Sequence, residues 1–427
     1  MSNLVAVHEL KVGMFVHLDL GWMSHPFPLS SFRIATDAQI ETIRGLGLRE
    51  LRWVPEKSEL TAVAAAAGAG AATGATTEPE ATAAAEESAE QSASRQRAEL
   101  LAVQHAALRL CEAQFAEATR AWVDTHAKVA ARPVEARADT EAMTGALLDK
   151  LMLDGEVCVR LLAGAAGNGA AAHAVNVAVI ALLMGRALGL AADEMQDLGV
   201  GALLHDVGKI DVTERLRHAE AGFNSNEMAA YRDHVQFGVT QARRMGLTPG
   251  AQLVLAQHHE HADGSGFPLK LELDRMSTAA RIVAIANRYD NLCNPALAER
   301  ALTPHEALST LFAQHRTRFD GTLLNAFIRM MGVYPAGSVV QLTDDRFAMV
   351  VSVNSTRPLK PRVMVHDADM PAAQALVINL EDHADLGIRR SLSPTKLPAE
   401  VHDYLKPRQR VHYFFDLQAP AVQELAA

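Results

Sequence analysis

The sequence predicts a mainly α-helical protein, in which a helical bundle is preceded by a small mixed α/β module and followed by a small β-rich segment. Between residues 165 and 332, one stretch after another carries apolar residues at helical spacing. Residues 1–60 and 333–366 contain short, alternating, β-branched runs instead. Hydrophobic residues make up 49% of the chain and aromatic residues only 5%, so we expect an aliphatic core.

The N-terminal 164 residues divide into three parts. The module at 1–60 combines strands near 4–7, 14–18 and 51–54 with one helix that begins at Asp37. The segment 61–98 is rich in Ala, Thr, Gly and Glu and predicts a flexible acidic linker. The segment 99–164 has helical spacing and predicts a connector that packs on the next domain or pairs in a homodimer.

The bundle and the segment after it differ in their periodicity. The predicted helices of the bundle span 170–188, 192–205, 225–245, 249–260, 277–292, 304–315 and 321–331. The extension at 333–427 contains predicted strands at 338–342, 347–353 and 362–365. Residues 367–427 have no clear pattern, so the sequence leaves the role of this extension open.

Composition excludes several classes of protein. The formal net charge of −10 argues against general binding to nucleic acids or membrane surfaces, but a small anionic substrate stays compatible with a site that holds metal ions. Three scattered cysteines give no disulfide framework. The N-terminus lacks the pattern of a signal peptide, and the most apolar window, 175–184, is too short to span a bilayer. We therefore expect a cytoplasmic protein.

The dipeptide His205-Asp206 is the centre of the functional argument. It ends an apolar helical run and is followed by Gly208, which can end the helix, and by Lys209. Imidazole nitrogen and carboxylate oxygen are good ligands for a divalent metal, and a lysine ammonium suits a phosphate oxygen. Alone, such a dipeptide is weak evidence.

More histidines lie on the predicted helices around this dipeptide. A single histidine on an apolar helix is usually an ordinary core residue, but a set of them spread over successive helices is typical of metal sites in bundles. The predicted ligands are His173, His205, Asp206, His234, His258 and His259. Six ligands exceed what one tetrahedral ion needs, so we predict two divalent transition-metal ions about 3.5–4 Å apart that share Asp206. This ligand chemistry suits Fe or Mn, with Zn or Ni as alternatives.

A tight loop follows the histidine pair. It reads Glu260-His261-Ala262-Asp263-Gly264-Ser265-Gly266-Phe267-Pro268. It is either an ordinary turn, a wall of the site, or a docking surface for a partner.

Taken together, these motifs resemble the HD-GYP family. The resemblance covers about residues 165–330, and residues 4–60 look like the small domain often found ahead of HD-GYP units in proteobacteria. It implies a helical HD-domain bundle and a metal-dependent phosphodiesterase that hydrolyses the bacterial second messenger cyclic di-GMP to pGpG or GMP. The Gly-Phe-Pro loop argues against an HD phosphohydrolase for another nucleotide. The resemblance also implies partners of the diguanylate cyclase type at this loop.

The resemblance also implies residue roles. One ion would be held by His173, His205, Asp206 and the residue at 287, and the other by Asp206 with His234, His258 and His259. Asp206 and Lys209 are the predicted catalytic residues, with Lys209 contacting the phosphate or the attacking hydroxide. The predicted substrate-binding residues are Gly266, Phe267, Arg288 and Arg300.

Three features depart from the family pattern. The metal-ligating Asp of helix 277–292 is Asn287, which offers a neutral oxygen. The segment that normally carries a phosphate-binding Arg has Ala296 and Glu299. Gly169 stands where members with a third metal have Glu. Asn287, Ala296 and Glu299 favour a second hypothesis, in which the chain is a degenerate HD-GYP protein that acts as a cyclic di-GMP receptor or interaction scaffold.

Overall fold

A computed structural model describes residues 3–21, 25, 27, 31–58, 89–153, 156–162, 169–218, 222–354 and 357–418. The chain forms two compact units, Met1–Ala102 and Val103–Ala427. The larger unit contains a bundle of helices and a β-sheet, and the smaller one contains a second, four-stranded sheet. The predicted fold class, mainly helical with β segments toward both ends, is confirmed.

The N-terminal sheet follows the predicted pattern. Its strands are β1 (Asn3–Ala6), β2 (Phe15–His17), β3 (Ser31–Arg33) and β4 (Glu50–Trp53), with helix α1 (Asp37–Gly45) between the last two. The strands are antiparallel in the order β1-β4-β2-β3. Thr36 caps α1 by accepting a hydrogen bond from the Gln39 amide. Val16, Ile43 and Leu51 form part of the buried core.

Most of the predicted linker at 61–98 lies outside the described residues. From residue 89 onward the chain is helical, because α2 spans Ala89–Lys128. The last ten residues of the predicted linker are therefore helix, and the prediction of a flexible segment was wrong for them. The many Ala, Glu, Gln and Arg residues there are good helix formers.

The remaining helices of the larger unit form the bundle. They are α3 (Pro133–Leu151), α4 (Gly169–Leu188), α5 (Ala192–Leu204), α6 (Ser225–Arg232), α7 (His234–Met245), α8 (Pro249–Gln257), α9 (Thr278–Cys293), α10 (Pro304–Gln314) and α11 (Gly321–Met331). Helix α4 lies at the centre, packed against α5, α9 and α11. In the described part of the chain it is the one helix long and apolar enough to cross a membrane, but 78% of its most apolar window is buried inside the protein. It is therefore the core helix of this domain.

Two predicted helices differ from the structure. The helix predicted at 225–245 is interrupted at Asp233, which separates α6 from α7. The helical connector predicted for 99–164 ends at Leu151, and β5 (Glu156–Leu161) follows. Val157 and Val159 of this strand are buried and β-branched, and the strand pairs with two strands near the C-terminus.

The C-terminal strands build one sheet around β5. They are β6 (Val339–Leu342), β7 (Phe347–Asn354), β8 (Arg362–Val365), β9 (Val377–Asn379), β10 (Ile388–Leu392) and β11 (Tyr413–Gln418), with α12 (Ala399–Leu405) before the last. The main order is β10-β6-β7-β5-β11, and β8 pairs with both β7 and β9. The sheet thus joins residues from both sides of the bundle in sequence.

Candidate metal centre

Helix ends bring the five predicted histidines together with Asp206. His173 lies in the first turns of α4, and His234 is the first residue of α7. His205 and Asp206 follow the last residue of α5, and the pair His258-His259 follows α8 in the same way. Because a helix ends at each dipeptide, both members can point toward one place, as the sequence predicted.

A close approach between two glycines shapes the segment after Asp206. A Cβ atom at Gly208 would lie 1.9 Å from the His234 carbonyl oxygen and 2.3 Å from the Gly238 nitrogen. No side chain fits there, so the backbone of 207–211 packs directly against α7 in a 3-10 turn. This contact holds His205 and Asp206 beside His234.

The two oxygens of the Asp206 carboxylate face different histidines. Oδ2 lies 3.7 Å from Nε2 of His173 and 3.4 Å from Nε2 of His205. Oδ1 lies 3.5 Å from Nε2 of His234 and 3.9 Å from Nε2 of His258. The ligand atoms accordingly form two groups that share Asp206, one with His173 and His205 and the other with the remaining three histidines.

The hydrogen bonds of the imidazole rings show that this cluster fits a cation. Nδ1 of His205, His234 and His258 donates to the carbonyl oxygens of Ala202, Tyr231 and Leu255, at 2.7, 2.6 and 2.9 Å. A neutral imidazole that donates from Nδ1 carries a lone pair on Nε2.

The Nε2 atoms then face one another in pairs, at 3.2 Å between His173 and His205 and 3.4 Å between His234 and His258. Lone pairs at such distances repel unless a positive ion lies near them. Asp206 Oδ1 and His259 Nε2 are also buried without a hydrogen-bond partner. The donor set, imidazole with one carboxylate, therefore fits a divalent transition metal.

The charges in the cluster favour the protonation states that metal binding requires. Burial alone would raise the pKa of Asp206, but the neighbouring Lys209 ammonium holds it well below its ordinary value. Burial and neighbouring histidines hold the pKa values of His258 and His259 well below the ordinary value. The carboxylate is thus ionised and both imidazoles are neutral, as metal ligands must be.

Lys209 stands next to the shared carboxylate. Its Nζ donates to Asp206 Oδ2 at 2.6 Å and lies 5.7 Å from the centre of the Tyr231 ring. Burial would lower the pKa of Lys209, but Asp206 and Tyr231 raise it above its ordinary value. The ammonium is therefore charged beside the metal ligands, where the sequence placed it.

Asn287 and Asp290 occupy different positions on α9. Asn287 is 3% exposed and lines the same cavity as His258 and His259, while its Oδ1 accepts a hydrogen bond from Asn291. Asp290 is fully buried, and its Oδ2 accepts a hydrogen bond from Nδ1 of His173 at 2.6 Å. The role of Asn287 as a ligand stays a prediction, whereas Asp290 orients a predicted ligand and was not among the predicted site residues.

Asp290 also connects the metal cluster to the C-terminal strand. Its Oδ1 accepts hydrogen bonds from Asn176 at 2.8 Å and Asn294 at 2.9 Å. Both asparagines bind the backbone at the start of β11, since Nδ2 of each donates to the Val411 carbonyl and Asn176 Oδ1 accepts from the Tyr413 amide. The C-terminal extension therefore supports the residues behind His173.

The loop after His259 packs against the metal site. The buried Glu260 carboxylate accepts hydrogen bonds from the Leu269 and Leu271 amides at 2.6 and 2.9 Å. A Cβ atom at Gly266 would lie 2.4 Å from the His261 nitrogen, so only glycine fits. The Phe267 ring stacks on His259 with 4.5 Å between ring centres. Phe267 thus belongs to the wall of the site, whereas Gly266 is buried in the loop and its role in binding substrate stays a prediction. The peptide bond after Phe267 is cis.

A cavity of about 400 Å³ is lined by two of the predicted ligands, His258 and His259. Lys209, Phe267 and Arg288 also line it, and their roles toward substrate stay predictions. Arg300 lies in the 3-10 turn 298–300, is exposed and is not among the lining residues, so its contact with substrate stays a prediction. Two cationic or basic residues that the sequence analysis did not select, His315 and Arg318, line the cavity instead.

Comparison with known proteins identifies both parts of the chain. The profile described as domain of unknown function DUF3391 matches residues 3–140, and the profile of the HD domain matches residues 156–323. A protein of Pseudomonas aeruginosa named cyclic di-GMP phosphodiesterase is 26% identical, over 86% of this chain and 85% of its own length.

Two further relatives match smaller parts or match more distantly. A cyclic di-GMP phosphodiesterase response regulator of Xanthomonas campestris is 30% identical over 38% of this chain, and the alignment spans 43% of that relative. Among solved structures, an HD-GYP-type protein of Bdellovibrio bacteriovorus aligns over 77% of this chain and 98% of its own, with 13% identity and a TM-score of 0.41. The chain therefore carries an HD domain over residues 156–323 with a DUF3391 domain ahead of it, and the relatives from Pseudomonas aeruginosa and Xanthomonas campestris are named cyclic di-GMP phosphodiesterases.

Proposed function

We propose that this chain is a metal-dependent phosphodiesterase that hydrolyses cyclic di-GMP. The observation that carries the proposal is the Asp206 carboxylate, whose two oxygens face two different sets of histidines, next to a cavity that Lys209, His258 and His259 line. The named activities of the relatives from Pseudomonas aeruginosa and Xanthomonas campestris support the same substrate.

Two divalent ions, Fe or Mn first and Zn or Ni as alternatives, fit the two ligand groups. His173, His205 and Asp206 would hold one ion with Asn287, and Asp206, His234, His258 and His259 would hold the other. Such a pair supplies a water nucleophile of lowered pKa and positive charge at the phosphate.

The residues of the chain have separate tasks in this reaction. Asp206 is the shared ligand, and its low pKa keeps it ionised at neutral pH. Lys209 carries a positive charge at the same carboxylate and would neutralise charge that develops on the phosphate. Phe267, stacked on His259, and Gly266 shape the wall on which a guanine base or ribose would rest.

The test is hydrolysis by the protein loaded with Fe(II) or Mn(II) under anaerobic conditions. We expect linear pGpG or GMP from cyclic di-GMP, and no product from the Asp206→Ala variant prepared in the same way. An Asp320→Asn variant is a matched control, because Asp320 is a part-buried carboxylate of the same domain that pairs with Arg281 instead of a histidine. Absence of product from the wild-type protein with every metal would reject the proposal.

A second function, a cyclic di-GMP receptor with little catalysis, is favoured by Asn287. This residue contributes no charge to the first ion, and its oxygen is bonded to Asn291. The receptor hypothesis predicts that the metal-loaded wild-type protein binds cyclic di-GMP in equilibrium dialysis but leaves it intact over many hours. Turnover would contradict it.

The same proposal includes partners and location. A docking site for diguanylate cyclase-type proteins at the Gly-Phe-Pro loop is supported by Leu269, which is 66% exposed next to the buried part of the loop.

A homodimer is supported by Val103 on α2, which is 65% exposed. We infer a cytoplasmic location, where cyclic di-GMP is made and degraded. Leu269→Asp should abolish capture of such a cyclase without changing hydrolysis, and sedimentation would report the oligomer.

A further inference from the structure

The cavity next to the predicted metal ligands has a second group of basic residues. Only one of them, Arg288, was a predicted substrate-binding residue. The group consists of Arg288 on α9, Arg318 in the turn before α11, and the histidines His261 and His315. Among the described residues that line the cavity, none is acidic. Neither guanidinium forms an ion pair with a carboxylate anywhere in the described ranges.

These four basic groups interact electrostatically with one another. The guanidiniums of Arg288 and Arg318 line the same cavity. Burial, Arg288 and Arg318 together lower the pKa of His315 to about 4. Two guanidiniums that repel each other inside a cavity are stabilised when an anion lies between or beside them.

His315 provides a second observation that is independent of charge. Its side chain is 9% exposed, and its Nδ1 is buried without a hydrogen-bond partner. Buried polar atoms are nearly always paired, and exceptions often mark a place where a ligand binds. His315 ends α10 and Arg318 follows three residues later, so both are held by one short 3-10 turn.

We propose that Arg288, Arg318 and His315 form a subsite for the phosphodiester of the cyclic dinucleotide that is not being cleaved. This inference rests on the proposed function, because a cyclic dinucleotide carries two phosphodiesters and only one can lie at the metal ligands and Lys209. The other needs a separate group of donors within the same cavity. Guanidinium forks bind phosphate oxygens in pairs, and they suit this task better than Ala296, which lines the cavity where the family has a cation.

The subsite predicts a loss of substrate affinity without a loss of chemistry. We expect Arg318→Ala and Arg288→Ala each to raise KM for cyclic di-GMP by roughly tenfold to a hundredfold, the usual effect of removing one charged hydrogen bond. The kcat value and the metal content should stay close to wild type. Hydrolysis of bis(4-nitrophenyl) phosphate, which has a single phosphodiester, should not change.

Arg316→Ala is the matched control. Arg316 lies in the same 3-10 turn, but its guanidinium is 5.7 Å from the Phe312 ring centre and it does not line the cavity. We expect this variant to bind cyclic di-GMP as the wild type does. Equilibrium dialysis with labelled cyclic di-GMP compares the affinities of the same variants without catalysis. The subsite can therefore be tested even if the protein is a receptor that does not hydrolyse its ligand.

The outcomes separate the subsite from the proposed function. If the wild type binds or cleaves cyclic di-GMP and the Arg318 and Arg288 variants match it, the subsite is rejected and the function stands. If both variants lose the small diester in the same proportion, the residues serve the metal region and the subsite is again rejected. If the wild type neither binds nor cleaves cyclic di-GMP, the proposed function fails and the subsite fails with it.

Discussion

Replacing Asp290 with asparagine should weaken one of the two proposed ions and leave the other in place. Asp290 Oδ2 accepts a hydrogen bond from His173 Nδ1 at 2.6 Å, and Oδ1 accepts from Asn176 and Asn294. Every partner of this buried carboxylate is thus a donor. An amide of the same shape places an NH₂ group against a donor and removes the charge that orients His173.

The expected size follows from the position of this contact behind a metal ligand. Loss of a partner that orients a ligating histidine typically weakens metal binding by about 10- to 100-fold. This corresponds to about 1.4–2.7 kcal/mol, the usual range for a hydrogen bond to a charged group. His234 and His258 should not change, because their Nδ1 atoms donate to backbone carbonyls that the substitution does not touch.

The assay is a metal titration followed by elemental analysis of protein equilibrated at fixed free Mn(II). Wild-type protein should approach two ions per chain. Over a 10- to 100-fold range of metal concentration above the point where wild type is saturated, Asp290→Asn should hold about one ion per chain. Asp320→Asn again controls for a general loss of stability. Equal affinity of wild type and Asp290→Asn for both ions would refute the argument that Asp290 acts through His173.

Three further predictions concern other positions. Asp206→Ala should remove both ions together with hydrolysis, since its oxygens face both histidine groups, and retention of either ion by elemental analysis would contradict this. Asn287→Asp should tighten the first ion and raise turnover at matched metal concentration, and unchanged values of both would show that Asn287 does not limit the site. Burial lowers the pKa of Lys150 from 10.5 to about 8, so the unfolded chain binds more protons between those values and stability rises with pH across that window. Lys150→Met should therefore stabilise the fold at pH 7 by up to about 3 kcal/mol and flatten that rise, as denaturant unfolding at pH 7 and pH 10 would report.

The sequence was most informative where a pattern is local. The bundle helices have long apolar stripes, and their bounds agree with the structure within a few residues, except where α6 and α7 are separated at Asp233. The strand at 156–161 was missed because its alternation covers only six residues and its partners lie far along the chain, β7 about 200 residues later and β11 more than 250 residues later. No local signal reports such a pairing.

The candidate site shows the same difference between local patterns and long-range packing. The six predicted histidine and aspartate ligands come together, because each lies at a helix end that a Gly, a turn or a cap marks in the sequence. Arg300 was predicted to bind substrate and is exposed, whereas His315 and Arg318 line the cavity. Which surface residue reaches a cavity depends on how the turn after α10 packs, and spacing along the chain does not determine that.

Asp290 changes what the substitution at residue 287 means for activity. The family pattern would place a carboxylate at 287, and this chain has a neutral amide there whose oxygen binds Asn291. One turn further along α9, a fully buried carboxylate is bonded to His173. A carboxylate behind a ligating imidazole raises the basicity of that ligand, so part of the negative charge absent at 287 would reach the first proposed ion through His173. Removing Asp290 should therefore weaken that ion more than Asn287→Asp strengthens it. The opposite order of effects, measured in the same metal titration, would show that the residue at 287 controls the first ion directly.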